Sequence, residues 1–409
     1  MHKRKSTPWA RRRRRVYILI VVVLLLLSPA VIWRLRVKSE MLDELAAIKA
    51  LGVPMTVEEH ATWLAQFPPP GVNESYGLAA GAIVPLPLDA LEKFPSFRTR
   101  HSGDELFAVP YTPETSAAMR QLVELNGEAL RLLHEGRAKS GPGLASGLER
   151  YRTTEDFLEL CCAQACVAAE SGDGALAAES ILDGLAFLAA HNTRPWSTTP
   201  YSRGGEVGWL MRALASAAAR VTLPDEKLRE MQDRLETPNW AEDLRLSTID
   251  YAAIAVQQFE ENQHIDPPAR VAFMVFGLMD RQVTYIAREQ RLFLASIGKS
   301  VAEQKVMFDV FKAEGGWRGF RFSGPPMESC VAKAGIELIG YYQKSGALPD
   351  SVEMLAREGL DLKDFYSGNN FGYKRDGATV RIYSVGPDLE DNGGDGRSDV
   401  LFQAVLPAR

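Results

Sequence analysis

Hydrophobic and polar positions alternate in three different ways along this chain. Residues 16–33 run for eighteen positions without a charge. As a helix that run rises about 27 Å, close to the roughly 30 Å of a bilayer's hydrocarbon core. A transmembrane helix is the expectation there. Further on, apolar positions recur at helical spacing. Ile181, Leu182, Leu185, Leu188 and Ala189 form one stripe, and Leu210, Leu214, Ala217 and Val221 form another. Near the C-terminus the period becomes two, in residues 371–374 and 379–383 around the turn Asp376-Gly377. A third strand is expected at 400–405.

Between these markers the breaks can be read from local chemistry. A helix over 39–66 is interrupted at Leu51-Gly52-Val53-Pro54, and Thr56 with Glu59 forms a capping box that restarts it. Residues 77–112 are Pro-rich and read as an irregular strap. One helix is expected from Pro113 to His134. Thr154 caps another that ends before the turn Ser171-Gly172-Asp173-Gly174. Thr237-Pro238 opens a long helix with Ile249, Ala253 and Val256 inward. Residues 141–147 are Gly-rich, but no Lys-Ser/Thr follows them, so they read as a linker and not a phosphate loop. Residues 271–279 are apolar all round and too short to span a bilayer, so they read as a buried helix. A helix over 328–344 precedes the strands.

The expected fold is therefore mainly α. It has an N-terminal transmembrane helix, an irregular α-hairpin body of solenoid-like outline, and a small C-terminal α+β unit. The boundaries follow composition. Residues 1–15 are a basic cytoplasmic tail, 16–33 the membrane helix, and 34–140 juxtamembrane helices with the strap. Residues 141–322 are the hairpin body and 323–409 the α+β unit.

Charge sharpens this picture. Residues 1–38 carry eleven Lys/Arg and no acid, whereas the rest has a net charge of −16. An acidic body argues against nucleic acid as a partner. Eight positive charges precede the apolar run and three follow it, which places the N-terminus in the cytoplasm and the body outside. Ser28-Pro29-Ala30 offers a competing reading as a cleavage site, against which Val31, Ile32 and Trp33 prolong the run. Cys161, Cys162, Cys166 and Cys330 match no zinc spacing. They read as buried thiols, with a disulfide from Cys330 to one of the other three as the alternative.

The densest chemistry lies in residues 383–399. Asp388, Glu390, Asp391, Asp395 and Asp399 gather five carboxylates, and Gly393, Gly394 and Gly396 let the backbone fold tightly. Hard oxygens on such a loop suit calcium, with Asp388, Asp391, Asp395 and Asp399 as candidate ligands. The spacing is not that of an EF-hand, because counting from Asp391 puts Phe402 where the bidentate Glu belongs. A solvated acidic turn without an ion is the competing reading.

The run from GALPDSVEML to NFGYKRDGATVRIYSVGPDLEDNGGDGRSDV resembles the C-terminal half of the major pseudopilin of type II secretion systems. Ser384, Gly386, Asp388, Gly393, Gly394, Asp395 and Asp399 match its loop. The resemblance implies a helix packed on a short antiparallel sheet, with calcium pinning the loop before the last strand. The N-terminus departs from the family: Arg15-Val16-Tyr17 stands where a Gly-Phe processing site belongs, and the apolar segment has no Glu. Processing and polymerisation as a pilus are therefore not expected. The whole layout also resembles a group of signal-anchored, helix-rich bacterial membrane proteins, in the phrases AIKALGVPMTVEE and YSVGPD. That likeness implies a bacterial inner membrane, with the body in the periplasm.

No nucleophile elbow or zinc-protease motif appears, and the six histidines have no metal spacing. Trp196, Tyr201, Glu206 and Trp209 cluster around 192–205 and are the candidate groove for a protein or peptide partner. The leading functional expectation is a membrane-anchored, non-catalytic binding or scaffold protein with a calcium-stabilised C-terminal loop. The alternatives are an accessory subunit of a secretion or pilus-like system and an envelope hydrolase using carboxylates.

Overall fold

A computed structural model describes residues 8–67, 73–94, 111–139, 150–191, 200–236, 240–261, 278–313, 326–356, 360–395 and 399–407, with the backbone alone for 8–16, 18–27, 29–30, 150–153, 191, 200–204, 258–261, 278–280, 282, 308 and 310–313. The architecture is helical and ends in a small antiparallel sheet. The apolar run 16–33 lies inside one long helix, α1 (Pro8–Ala50). Among the described residues no helix is long and apolar enough to cross a membrane. This corrects the transmembrane helix of the expected fold class. From Arg34 onward α1 carries Arg36, Lys38, Glu40, Asp43 and Glu44 among its apolar positions, and that part packs against protein.

Two compact units divide the chain, and neither is continuous. The first comprises 1–67, 248–296 and 307–318, the second 68–247, 297–306 and 319–409. The first unit holds α1, α2 (Val57–Leu64), the later part of α11 (Trp240–Glu261) and α12 (Leu278–Ser296). Thr56 caps α2 as its sequence requires: its side chain accepts Glu59 N at 3.1 Å, and Glu59 Oε2 accepts Met55 N at 2.8 Å. The core is small: Ile48, Val53, Ile249, Ala252, Ala253 and Ala287. Two buried polar links supplement it. Arg288 and Arg291 donate to Glu44 at 2.7 and 2.8 Å, and His60 Nε2 lies 2.7 Å from Asp250 Oδ1. Burial alone would push the Glu44 carboxyl up, but its hydrogen bonds and the charges of Arg291 and Arg288 outweigh this and hold it low.

The second unit begins with α3 (Glu74–Ala82) and α4 (Leu88–Leu91), so the expected irregular strap is partly helical. The helix expected from 113 to 134 is two, α5 (Pro113–Leu125) and α6 (Gly127–Ala138). Asn126 breaks it. Its Oδ1 accepts Val84 N at 2.7 Å, and its Nδ2 donates to Val84 O and Leu122 O, each at 2.9 Å. The side chain thereby stands in for a strand neighbour to the strap and caps the end of α5. Next come α7 (Arg150–Glu170), α8 (Gly174–His191), α9 (Pro200–Ala218) and α10 (Asp225–Arg234). The turn before α8 falls where the sequence puts it, with Gly172 at φ 83°. Thr237, Pro238, most of 271–279 and 141–147 lie outside the described residues.

After α13 (Val301–Ala313), α14 (Met327–Ser345) leads to the sheet β1 (Gly372–Asp376), β2 (Thr379–Ser384) and β3 (Val400–Val405). The order is β1-β2-β3, all antiparallel, as the alternation and the Asp-Gly turn predict. Val380 pairs with Ala404 and Ile382 with Phe402, and all four are buried. They pack on α14, where Gly335 leaves room for Phe402: a Cβ there would fall 2.4 Å from its ring. The same core takes in Phe157, Leu182, Leu210 and Leu214, so sheet and hairpins share one interior.

Candidate metal centre

The loop between β2 and β3 hangs from a carboxylate that the sequence pattern does not reveal. Asp364 is buried, and its Oδ1 accepts Ser384 Oγ at 2.6 Å and Tyr366 N at 3.1 Å. Its Oδ2 accepts Ser367 Oγ at 2.8 Å and Val385 N at 3.2 Å. Four donors on one carboxylate fix where the loop leaves β2. The backbone then turns through left-handed conformations at Gly386, Leu389, Gly393 and Gly394. At Gly394 a Cβ would also meet the Tyr383 ring at 3.0 Å.

Within this loop the four candidate ligands differ. Asp388, Asp391 and Asp395 are exposed, whereas Asp399 is 5% exposed. Asp388 accepts Glu390 N and Asn392 Nδ2, each at 3.1 Å. Asp391 accepts Gly393 N at 2.8 Å. It also accepts a hydrogen bond from the Tyr383 hydroxyl. Burial, that bond and the charges of Asp391 and Asp399 push the Tyr383 hydroxyl up to about 12. Asp395 contributes its carbonyl to Asp399 N at 3.0 Å. Asp399 Oδ2 accepts Gly394 N at 2.7 Å, but its Oδ1 is buried with no hydrogen-bond partner among the described residues. Burial raises the Asp399 carboxyl, backbone hydrogen bonds pull the other way, and the charge of Asp388 raises it again. No ion pair reaches Asp388, Asp391 or Asp399 among the described residues. Lys374 stands at the edge, with its Nζ over Gly393 and 5.9 Å from the Tyr383 ring centroid.

A second cluster has ligand-like geometry and different chemistry. His134 on α6 and Glu179 and Asp183 on α8 each offer an atom within 4.8 Å of the others. Two helices bring them together, 45 and 49 positions apart in sequence, so no ligand spacing announces them. The oxygens are already taken by cations. Arg137 pairs with Glu179 and lies 3.1 Å from Asp183 Oδ1, and Lys227 Nζ is 2.5 Å from Glu179. His134 Nδ1 is 3.2 Å from Asp183 Oδ2. Burial raises Glu179, yet Lys227 and Arg137 hold it below the usual carboxylate range. For Asp183 burial wins over Arg137 and His134 and the carboxyl is raised. This is a neutralised network. A divalent ion there would sit against a guanidinium that cannot lose its charge. The same occupancy leaves this carboxylate pair unsuited to the acid-base role that the hydrolase reading requires.

Of the four residues of the expected groove, two have described side chains. Trp209 is buried in the main core, Glu206 is half-buried on α9, and Trp196 and the Tyr201 side chain lie outside the described residues. The cysteines are free thiols. Burial raises all four, Cys166 and Cys330 to about 11, which makes them inert packing groups.

Comparison with family models, with curated proteins and with solved structures finds no match.

Proposed function

We propose that this chain is a non-catalytic binding or scaffold protein whose C-terminal loop is stiffened by a calcium ion. The observation that carries the metal is Asp399 Oδ1, a buried carboxylate oxygen without a hydrogen-bond partner among the described residues. A buried oxygen left without a hydrogen-bond partner costs about 1–3 kcal/mol, and a divalent cation relieves it. Asp399 and Asp388 would hold the ion, and solvent would complete the oxygen shell that calcium prefers. Asp391 is partly committed to Tyr383 and Gly393, which leaves it a weaker candidate. The bound ion would supply only charge and rigidity.

The binding role is supported by the strap. Asn126 grips both backbone groups of Val84, while Val84, Leu78, Leu88 and Leu91 leave their side chains exposed. Apolar side chains on a tethered backbone suit a protein or peptide partner, because little ordering entropy remains to be lost on binding.

Calorimetric titration of the full chain with calcium tests the metal. One site is expected, and Asp399→Asn should abolish its heat while leaving the helical signal intact. An unchanged titration in that variant, or no heat in the wild type, leaves an acidic turn without an ion.

A further inference from the structure

We infer that the outward face of α1 is a parallel dimer seam that receives the same face of a second copy of this chain. Within the first unit α1 buries Val37, Glu44 and Ile48 on one side. On the opposite side Ile32, Leu35 and Leu42 stand 65%, 64% and 53% exposed, with Ser39 and Ala46 exposed between and beyond them. These five positions follow one another at intervals of three, four, three and four residues. That is the period of 3.5 that keeps a stripe facing another helix in a left-handed coiled coil. Lys49 closes the seam, since its Nζ is held by Glu59 at 2.7 Å.

Charge selects the occupant and its direction. Lys38 and Asp43 flank the stripe on its two sides, are exposed, and make no ion pair among the described residues. In an in-register parallel pair, a residue on one flank meets the residue five positions further on in the other helix. Lys38 then meets Asp43 of the second copy, and symmetry makes the pair twice. An antiparallel pair centred on Ser39 sets Lys38 near Lys38 of the other copy, where like charges repel. Arg36 is already occupied by Glu40 at 3.0 Å. A polar Ser39 in the middle of the seam disfavours slipped registers.

The test uses the full chain. Ser39→Cys should give a covalent dimer on mild oxidation, and Arg34→Cys, exposed off the seam, should not. The native thiols are held high and do not compete. Sedimentation should find a dimer that Leu35→Lys combined with Leu42→Lys converts to monomer. Lys38→Asp should weaken association roughly tenfold, and adding Asp43→Lys should restore it. A monomer at every concentration, or equal crosslinking at positions 34 and 39, overturns the inference. So does a monomeric chain that floats with phosphatidylcholine vesicles and stops doing so in the double lysine variant, which assigns the stripe to lipid.

Discussion

The two carboxylate clusters of the second unit differ both in geometry and in charge. His134, Glu179 and Asp183 come close enough to chelate, yet Arg137 and Lys227 already balance them. In the loop, Asp399 Oδ1 has neither a hydrogen bond nor an ion pair among the described residues, whereas Asp183 Oδ1, which also lacks a hydrogen bond, has the Arg137 guanidinium at 3.1 Å. Proximity of ligand atoms therefore says little until the surrounding cations are counted. The buried oxygen without a cation is the feature that calls for a ligand, because leaving it unmet costs more than pairing it does.

Calcium gives the sharpest separation. At a hundredfold excess over its Kd, calcium should stabilise the second unit by about 2.7 kcal/mol. Thermal melts should lose that gain in Asp399→Asn and keep it in His134→Ala. The reverse pattern would invert the comparison.

Removing one member of the neutralised cluster should come next in size. Glu179→Gln removes the carboxylate that Arg137 and Lys227 share, leaving them with Asp183 and Glu230, and should cost about 2 kcal/mol in a denaturant melt. Asp183→Asn removes a carboxylate that burial already disfavours, so its cost should stay under about 1 kcal/mol. Equal costs would mean that the two carboxylates share one role.

Acid should also separate them. Glu179 is held low in the fold, so its contribution is present above its unfolded pKa and is lost as pH falls through the folded one. Asp183 is raised, so its ionised form costs stability at neutral pH and that cost is relieved on acidification. Between roughly pH 6 and pH 3, Glu179→Gln should flatten the stability profile and Asp183→Asn should steepen it. The smallest effect is expected at His134, whose side chain is 56% exposed. His134→Ala should change stability by no more than about 0.5 kcal/mol.

Much of the fold was legible because its signals are local. The capping box at Thr56, the Gly172 turn and the Asp-Gly hairpin each rest on a few adjacent residues, and the structure places them where those residues stand. Features that depend on distant partners were not legible. Asn126 reads as an ordinary helix residue until Val84, 42 positions earlier, presents its backbone. Asp364 acquires its role only when β2 brings Ser384 to it. The charge network needs α6, α8 and α10 together. At the candidate site the acidic loop was visible as composition, but the differing environments of its aspartates were not. The apolar run at 16–33 suggested a membrane helix, whereas a helical segment rich in charge from Arg34 onward is what packs in the first unit.

The partners of Glu44 lie 244 and 247 residues away, at Arg288 and Arg291. A ribosome adding about 5–20 residues per second needs roughly 10–50 s to cover that interval. During that time the emerged α1 has neither its ionic partners nor the Ala287 side of its core. Val37 and Ile48 remain open to any passing apolar surface, including those of other nascent chains. The first unit therefore closes late, and its yield in a cell should depend on what shields α1 while α12 is still being made.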